Sequence, residues 1–71
     1  MALTKKALQA INKPKTRIKL AIALDVTEQT IFLYIKRNSD NLTKAKAIEV
    51  IQEQTGLKID EILEKADNLL S

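Results

Sequence analysis

Chemistry in this chain has to come from twelve lysines and arginines and nine carboxylates, because it contains neither histidine nor cysteine. That removes disulfides, thiolate or imidazole metal sites, a cysteine nucleophile and a Ser-His-Asp triad. The carboxylates that remain come with no glycine-rich loop and no paired-acid spacing, so an enzyme is not expected and no cofactor is called for. What the charges can do is bind. Residues 1–37 hold eight cations (Lys5, Lys6, Lys13, Lys15, Arg17, Lys19, Lys36 and Arg37) against Asp25 and Glu28, a balance of +6. Residues 38–71 hold four lysines against seven carboxylates, a balance of −3 that brings the whole chain to +3. One half can therefore face a polyanion while the other limits indiscriminate sticking, although solvated helix faces carry similar runs.

These charges need a scaffold. With 71 residues and 8.0 kDa, the chain has room for one domain. Folding at this size buries only about 60% of the unfolded surface, so good local helix signals matter. Hydrophobics at 45% and charges at 30% describe an ordered, soluble domain. The longest apolar runs, residues 21–24 and 31–35, are far below the roughly 20 residues of a membrane span. Lys5 and Lys6 interrupt the start, so a secretory leader is not expected either. The lack of cysteine suits a reducing, cytoplasmic setting.

Apolar residues recur at helical spacing, and threonines mark the starts. Thr4, Thr16, Thr27 and Thr43 each precede a helix-like run, where a hydroxyl can accept from the free N–H groups of a first turn. Leu3 with Leu8, Val26 with Ile31 and Leu42 with Ala47 have the spacing of hydrophobic staples, and Leu57 with Ile62 repeats it. Asp60 and Glu61 suit the first turn of a last helix. The pattern predicts helices at about residues 4–12, 16–24, 28–36, 43–54 and 59–69, with Pro14 stopping the first and Gly56 ending the fourth. Residues 30–35, β-branched and aromatic, favour a strand in isolation. A lone strand among helices would have no partner, so helix is expected.

Residues 17–36 have the grammar of two closely crossing helices. Ala21 supplies the small residue at the crossing, and Asp25 occupies the left-handed position after the first helix. Ile31, Tyr34 and Ile35 give the second helix a narrow inward stripe. This stretch resembles the helix-turn-helix of the lambda-repressor-like (Cro/CI) family. The likeness extends over nearly the whole chain through the preceding helix, the polar loop at residues 38–41 and Thr55-Gly56-Leu57. It departs from the family at Asp25, where glycine is usual; Asp and Asn tolerate left-handed geometry best after glycine.

The resemblance implies an all-α, compact five-helix bundle over residues 1–71, with the motif at about 17–36. It also implies a transcriptional regulator that binds double-stranded DNA with helix 28–36 in the major groove. Glu28, Gln29, Thr30 and Leu33 would then face base edges, with Gln29 suited to adenine and Glu28 to cytosine N4. Arg17, Thr27, Lys36, Arg37 and Lys44 would hold backbone phosphates. The family habit is a homodimer on a pseudo-palindromic site.

Each residue also has a plainer role. Thr27 caps its helix with or without DNA, Glu28 complements the helix dipole, Lys5 and Lys6 solubilise, and Tyr34 belongs to the core with its hydroxyl at the rim. Phe32 and Leu33 fall toward the open side of the same helix, where two apolar groups can meet thymine methyls or a protein partner; burial of Phe32 by the first helix or the 38–41 loop is the other option. Ile59, Ile62, Leu63, Ala66, Leu69 and Leu70 form a wide stripe on the last predicted helix, whose end at Leu69 and Leu70 suits a dimer contact. The competing function is a protein-interaction module, such as an antirepressor or adaptor, built on the same fold.

Overall fold

A computed structural model describes residues 2–64. Five α-helical segments and one 3-10 turn follow in order: α1 (Lys5–Ile11), α2 (Pro14–Leu24), α3 (Glu28–Arg37), the turn Asp40–Thr43, α4 (Ala45–Thr55) and α5 (Ile59–Ile62). Residues 30–35 are helical, within α3. Among the described residues no helix is long and apolar enough to cross a membrane.

Two of the four threonine starts hold. Thr4 accepts from the Ala7 N–H at 3.1 Å and Thr27 from the Thr30 N–H at 3.1 Å. Thr16 does not cap: α2 opens earlier, at Pro14, and Thr16 lies buried within it. Proline has no N–H to lose in a first turn and its fixed φ already suits a helix, so Pro14 starts α2, while α1 has already ended at Ile11. Thr43 does not cap either. It closes the 3-10 turn, donating to the Asp40 carbonyl at 2.6 Å, and α4 begins beyond it at Ala45. Ser39 caps that turn, accepting from the Asn41 N–H.

The predicted last helix is a single turn as described. Leu63 is extended (φ −98°, ψ 133°) and pairs with Leu3 in an isolated antiparallel bridge. The Thr4 N–H donates to the Ile62 carbonyl and the Glu64 N–H to the Ala2 carbonyl, each at 2.8 Å. Ile59 is therefore not part of an inward stripe but exposed, because one turn buries only Ile62 completely. Leu69 and Leu70 lie outside the described residues.

The core is aliphatic. Leu3, Ile11, Leu20, Ile31, Leu42, Ile51 and Ile62 are its fully buried large side chains, with Ala7, Ala21 and Ala47 where elements come close. Each such burial stabilises by about 1.5–3 kcal/mol. The staple residues Leu3, Leu42 and Ala47 are all in this core, and Leu8, Val26 and Leu57 pack against it. α4 is the central support, packed on α1, α2 and α5, and α2 also packs against α3.

Left-handed residues end three helices. Gly56 (φ 73°) closes α4, donating to the Gln52 carbonyl at 2.8 Å. Asp25 (φ 57°) and Asn38 (φ 51°) close α2 and α3 without glycine's freedom. Both have the same bond pattern: Val26 N–H to the Ala21 carbonyl at 2.9 Å and Asp25 N–H to Ile22 at 3.3 Å, then Ser39 N–H to Tyr34 at 2.9 Å and Asn38 N–H to Ile35 at 3.2 Å. These crossed bonds satisfy carbonyls that a helix end leaves free.

Candidate nucleic-acid interface

The turn between α2 and α3 is short and fully specified. Asp25 reverses the chain, Val26 packs against the core, and Thr27 caps α3. α3 then buries Ile31 and Ile35, with Tyr34 packed at the edge of the core as expected. Gln29, Leu33 and Lys36, spaced four and three residues apart, are exposed and share the opposite side of the helix. The Gln29 side chain makes no hydrogen bond to the described residues, so its amide is available. Leu33 is 45% exposed and Phe32 46%, so Phe32 is not buried, whether by helix 1 or by the 38–41 loop.

Glu28 and Thr30 are engaged within the protein. The Thr30 hydroxyl lies 2.8 Å from that of Thr27, so the two proposed contacts hold each other at the start of α3. Glu28 accepts from Arg17 Nε at 3.3 Å. This ion pair joins α2 to α3; with Glu28 well exposed it contributes no more than about 1 kcal/mol.

Arg17 is the best-held cation among the described residues. Its Nη1 donates to Asn12 Oδ1 at 2.8 Å, and its guanidinium carbon lies 6.0 Å from the centre of the Phe32 ring. A guanidinium has five N–H groups. Two are used here, so three remain without a partner among the described residues. Arg17, Glu28, Gln29 and Phe32 line an open pocket of about 270 Å³. Its walls are the Arg17 guanidinium with the Glu28 carboxylate that pairs with it, the Gln29 amide and the Phe32 ring, so any anionic group meeting the free N–H groups of Arg17 must do so on the side away from Glu28.

Lys36 and Arg37 are exposed in the last turn of α3, where they complement the helix dipole. They lie about 13 Å along the axis from the Glu28 end. Lys44 is exposed just before α4. Asn12 was not foreseen from the sequence, since nothing in its spacing marks it as an anchor for Arg17. The approach of Arg17 to the Phe32 ring is equally hidden, because helix periodicity places residues on faces without saying which faces meet. No group of three or more acidic residues among those described is arranged to hold a metal.

Comparison with family models, curated proteins and solved structures finds no match for this chain.

Proposed function

We propose that this protein is a sequence-specific regulator that binds double-stranded DNA through a lambda-repressor-like helix-turn-helix, with α3 as the reading helix. The observation that carries this is the pairing of a free outward stripe on α3, Gln29–Leu33–Lys36, with a pre-positioned arginine beside it. Gln29 reads a base edge, and Leu33 meets a thymine methyl. Arg17 grips a backbone phosphate through its remaining N–H groups, and Lys36, Arg37 and Lys44 extend the phosphate contacts. Glu28 serves mainly to aim Arg17, which replaces the base contact expected of it. Lys36 and Arg37, exposed on α3 itself, supply the positive charge beside the reading stripe.

The test is selection from a random duplex library at about 150 mM salt, where nonspecific binding is already weak. The expected result is an enriched motif, and half-sites about 10 bp apart would add a homodimer. Gln29→Ala should relax the preference at one position, while Lys36→Ala should weaken all sequences alike and reduce the salt slope by about 0.9. An unenriched pool would sink the proposal. A second reading, the protein-interaction module, is favoured by one observation: Phe32 and Leu33 are adjacent, large and about half exposed. Binding to DNA that survives Gln29→Ala and Arg17→Ala would move the assignment there.

A further inference from the structure

The outward side of α2 has no role in DNA binding as proposed, and its composition is unusual for a surface helix. α2 buries Thr16, Leu20 and Ala21, yet its opposite side carries Ile18, 48% exposed, and Ile22, 75% exposed. A helix at a protein surface ordinarily confines its apolar residues to one side. Isoleucine is also a mediocre helix former because its branched Cβ is restricted against the preceding turn. Local helix formation therefore gives no reason for isoleucine at either position.

Lys15, Ile18, Lys19 and Ile22 follow the spacing i, i+3, i+4, i+7, which lines all four along one exposed stripe. The stripe runs about 10 Å along the helix. Lys15 and Lys19 make no ion pair with the described residues, and α2 contains no carboxylate. We propose that this stripe docks an acidic amphipathic helix of a partner protein. The partner's apolar residues cover Ile18 and Ile22, and its flanking Asp or Glu side chains meet the two ammonium groups.

Charge selects this occupant. A second copy docking the same stripe about a two-fold axis would set Lys15 and Lys19 against like charges. Lysine stems can lie along an apolar contact while their heads reach carboxylates at its edge. The contact is small, so it belongs with weak, transient interfaces.

The probe is a fluorescein-labelled peptide of about 18 residues, enough for a marginal helix, with leucines at i, i+3, i+4 and i+7 and glutamates beside them. Titrated into isotope-labelled full-length protein, it should shift the amide resonances of residues 15–22 and give saturable anisotropy. Ile22→Ser should weaken it about tenfold, or about 1.4 kcal/mol, without unfolding a site already open to water. Ile59→Ser, on α5, should leave affinity unchanged. Reversing both lysines to glutamate should abolish binding and restore it to a peptide flanked by lysines. Equal binding of a peptide with the same composition but scattered leucines would overturn the proposal, as would Ile22→Ser binding like the wild type. A dimer in sedimentation that Ile22→Ser dissolves would assign the stripe to a second copy instead. Binding to phosphatidylserine vesicles with no response to the peptide would assign it to a lipid surface.

Discussion

Asn38 does three jobs, and removing its side chain should show it. Its backbone is left-handed, its Oδ1 accepts from the Leu3 N–H at 3.0 Å, and its Nδ2 donates to the Leu3 carbonyl at 3.0 Å. In the Leu3–Leu63 bridge the hydrogen bonds belong to the flanking residues, so Leu3's own peptide groups point away from Leu63. The Asn38 amide meets them as the peptide of a third strand would. Asn38→Ala deletes both bonds, each with a net value of about 1 kcal/mol, and gives the left-handed position to a residue that resists it by about 1 kcal/mol more. The expected loss is about 3 kcal/mol, from a total of roughly 4–10 kcal/mol for a chain of this length. In a thermal melt followed by far-UV circular dichroism that is a fall of order 15 °C. Asn38→Gly keeps the geometry and loses only the bonds, so it should fall by about 2 kcal/mol. An alanine variant within about 0.5 kcal/mol of the wild type in urea unfolding would refute the clamp, and glycine falling further than alanine would refute the backbone part.

Asp25→Gly should be neutral or raise stability by up to about 1 kcal/mol, since glycine takes the left-handed turn without strain; a large drop in melting temperature would mean that this turn is wrongly understood. Thr27→Val should cost about 1 kcal/mol by removing a helix cap, whereas Thr16→Val should cost nothing and even stabilise, because that hydroxyl is buried without a partner among the described residues. Equal losses from the two valines in urea unfolding would restore Thr16 as a cap. The Glu61 carboxyl is held below its ordinary 4.5 first by the hydrogen bond from Lys6, then by the Lys58 N–H and the Lys6 charge. A lowered carboxyl adds stability above the unfolded-state value and loses it as the pH falls through the lower folded-state value. Acidification from about pH 5 to pH 3 should therefore erode the unfolding midpoint more in the wild type than in Glu61→Gln, and parallel profiles would dismiss the pair.

How much of this was legible depends on the range of each interaction. Thr4, Thr27 and Gly56 act within one helical turn, and their spacing alone was enough to place them. Thr16 and Thr43 offered the same local signal and lost to neighbours: Pro14 starts a helix earlier, and Ser39 curls the chain into a 3-10 turn first. Asp25 was legible as a left-handed residue because it separates two helical runs. Asn38 shows in the sequence only as part of a polar loop, since its partner Leu3 lies 35 positions away. In the site, helical periodicity put Phe32 and Leu33 toward the open side of α3, and the resemblance added Glu28, Gln29, Thr30 and Lys36; of these Gln29, Leu33 and Lys36 share the outward stripe. It could not find the Asn12–Arg17–Glu28 chain of bonds, whose first link depends on how the chain turns from α1 into α2 and whose second depends on how α2 and α3 cross.

The bridge between residues 2–4 and 62–64 also determines how the domain bears load. Ala2 faces Glu64 across it, so a pull applied to the two flanking segments enters at the same end of the pair and opens its bonds in succession instead of shearing them together. The Glu64–Ala2 bond yields first and the Thr4–Ile62 bond second. After that, Leu3 is still tethered to Asn38, at the end of α3. Once the bridge has opened, tension on the N-terminal flank passes through Leu3 and Asn38 to the last turn of the helix that carries Gln29, Leu33 and Lys36, while the other flank pulls on α5, still held at Glu61 by Thr4 and Lys6.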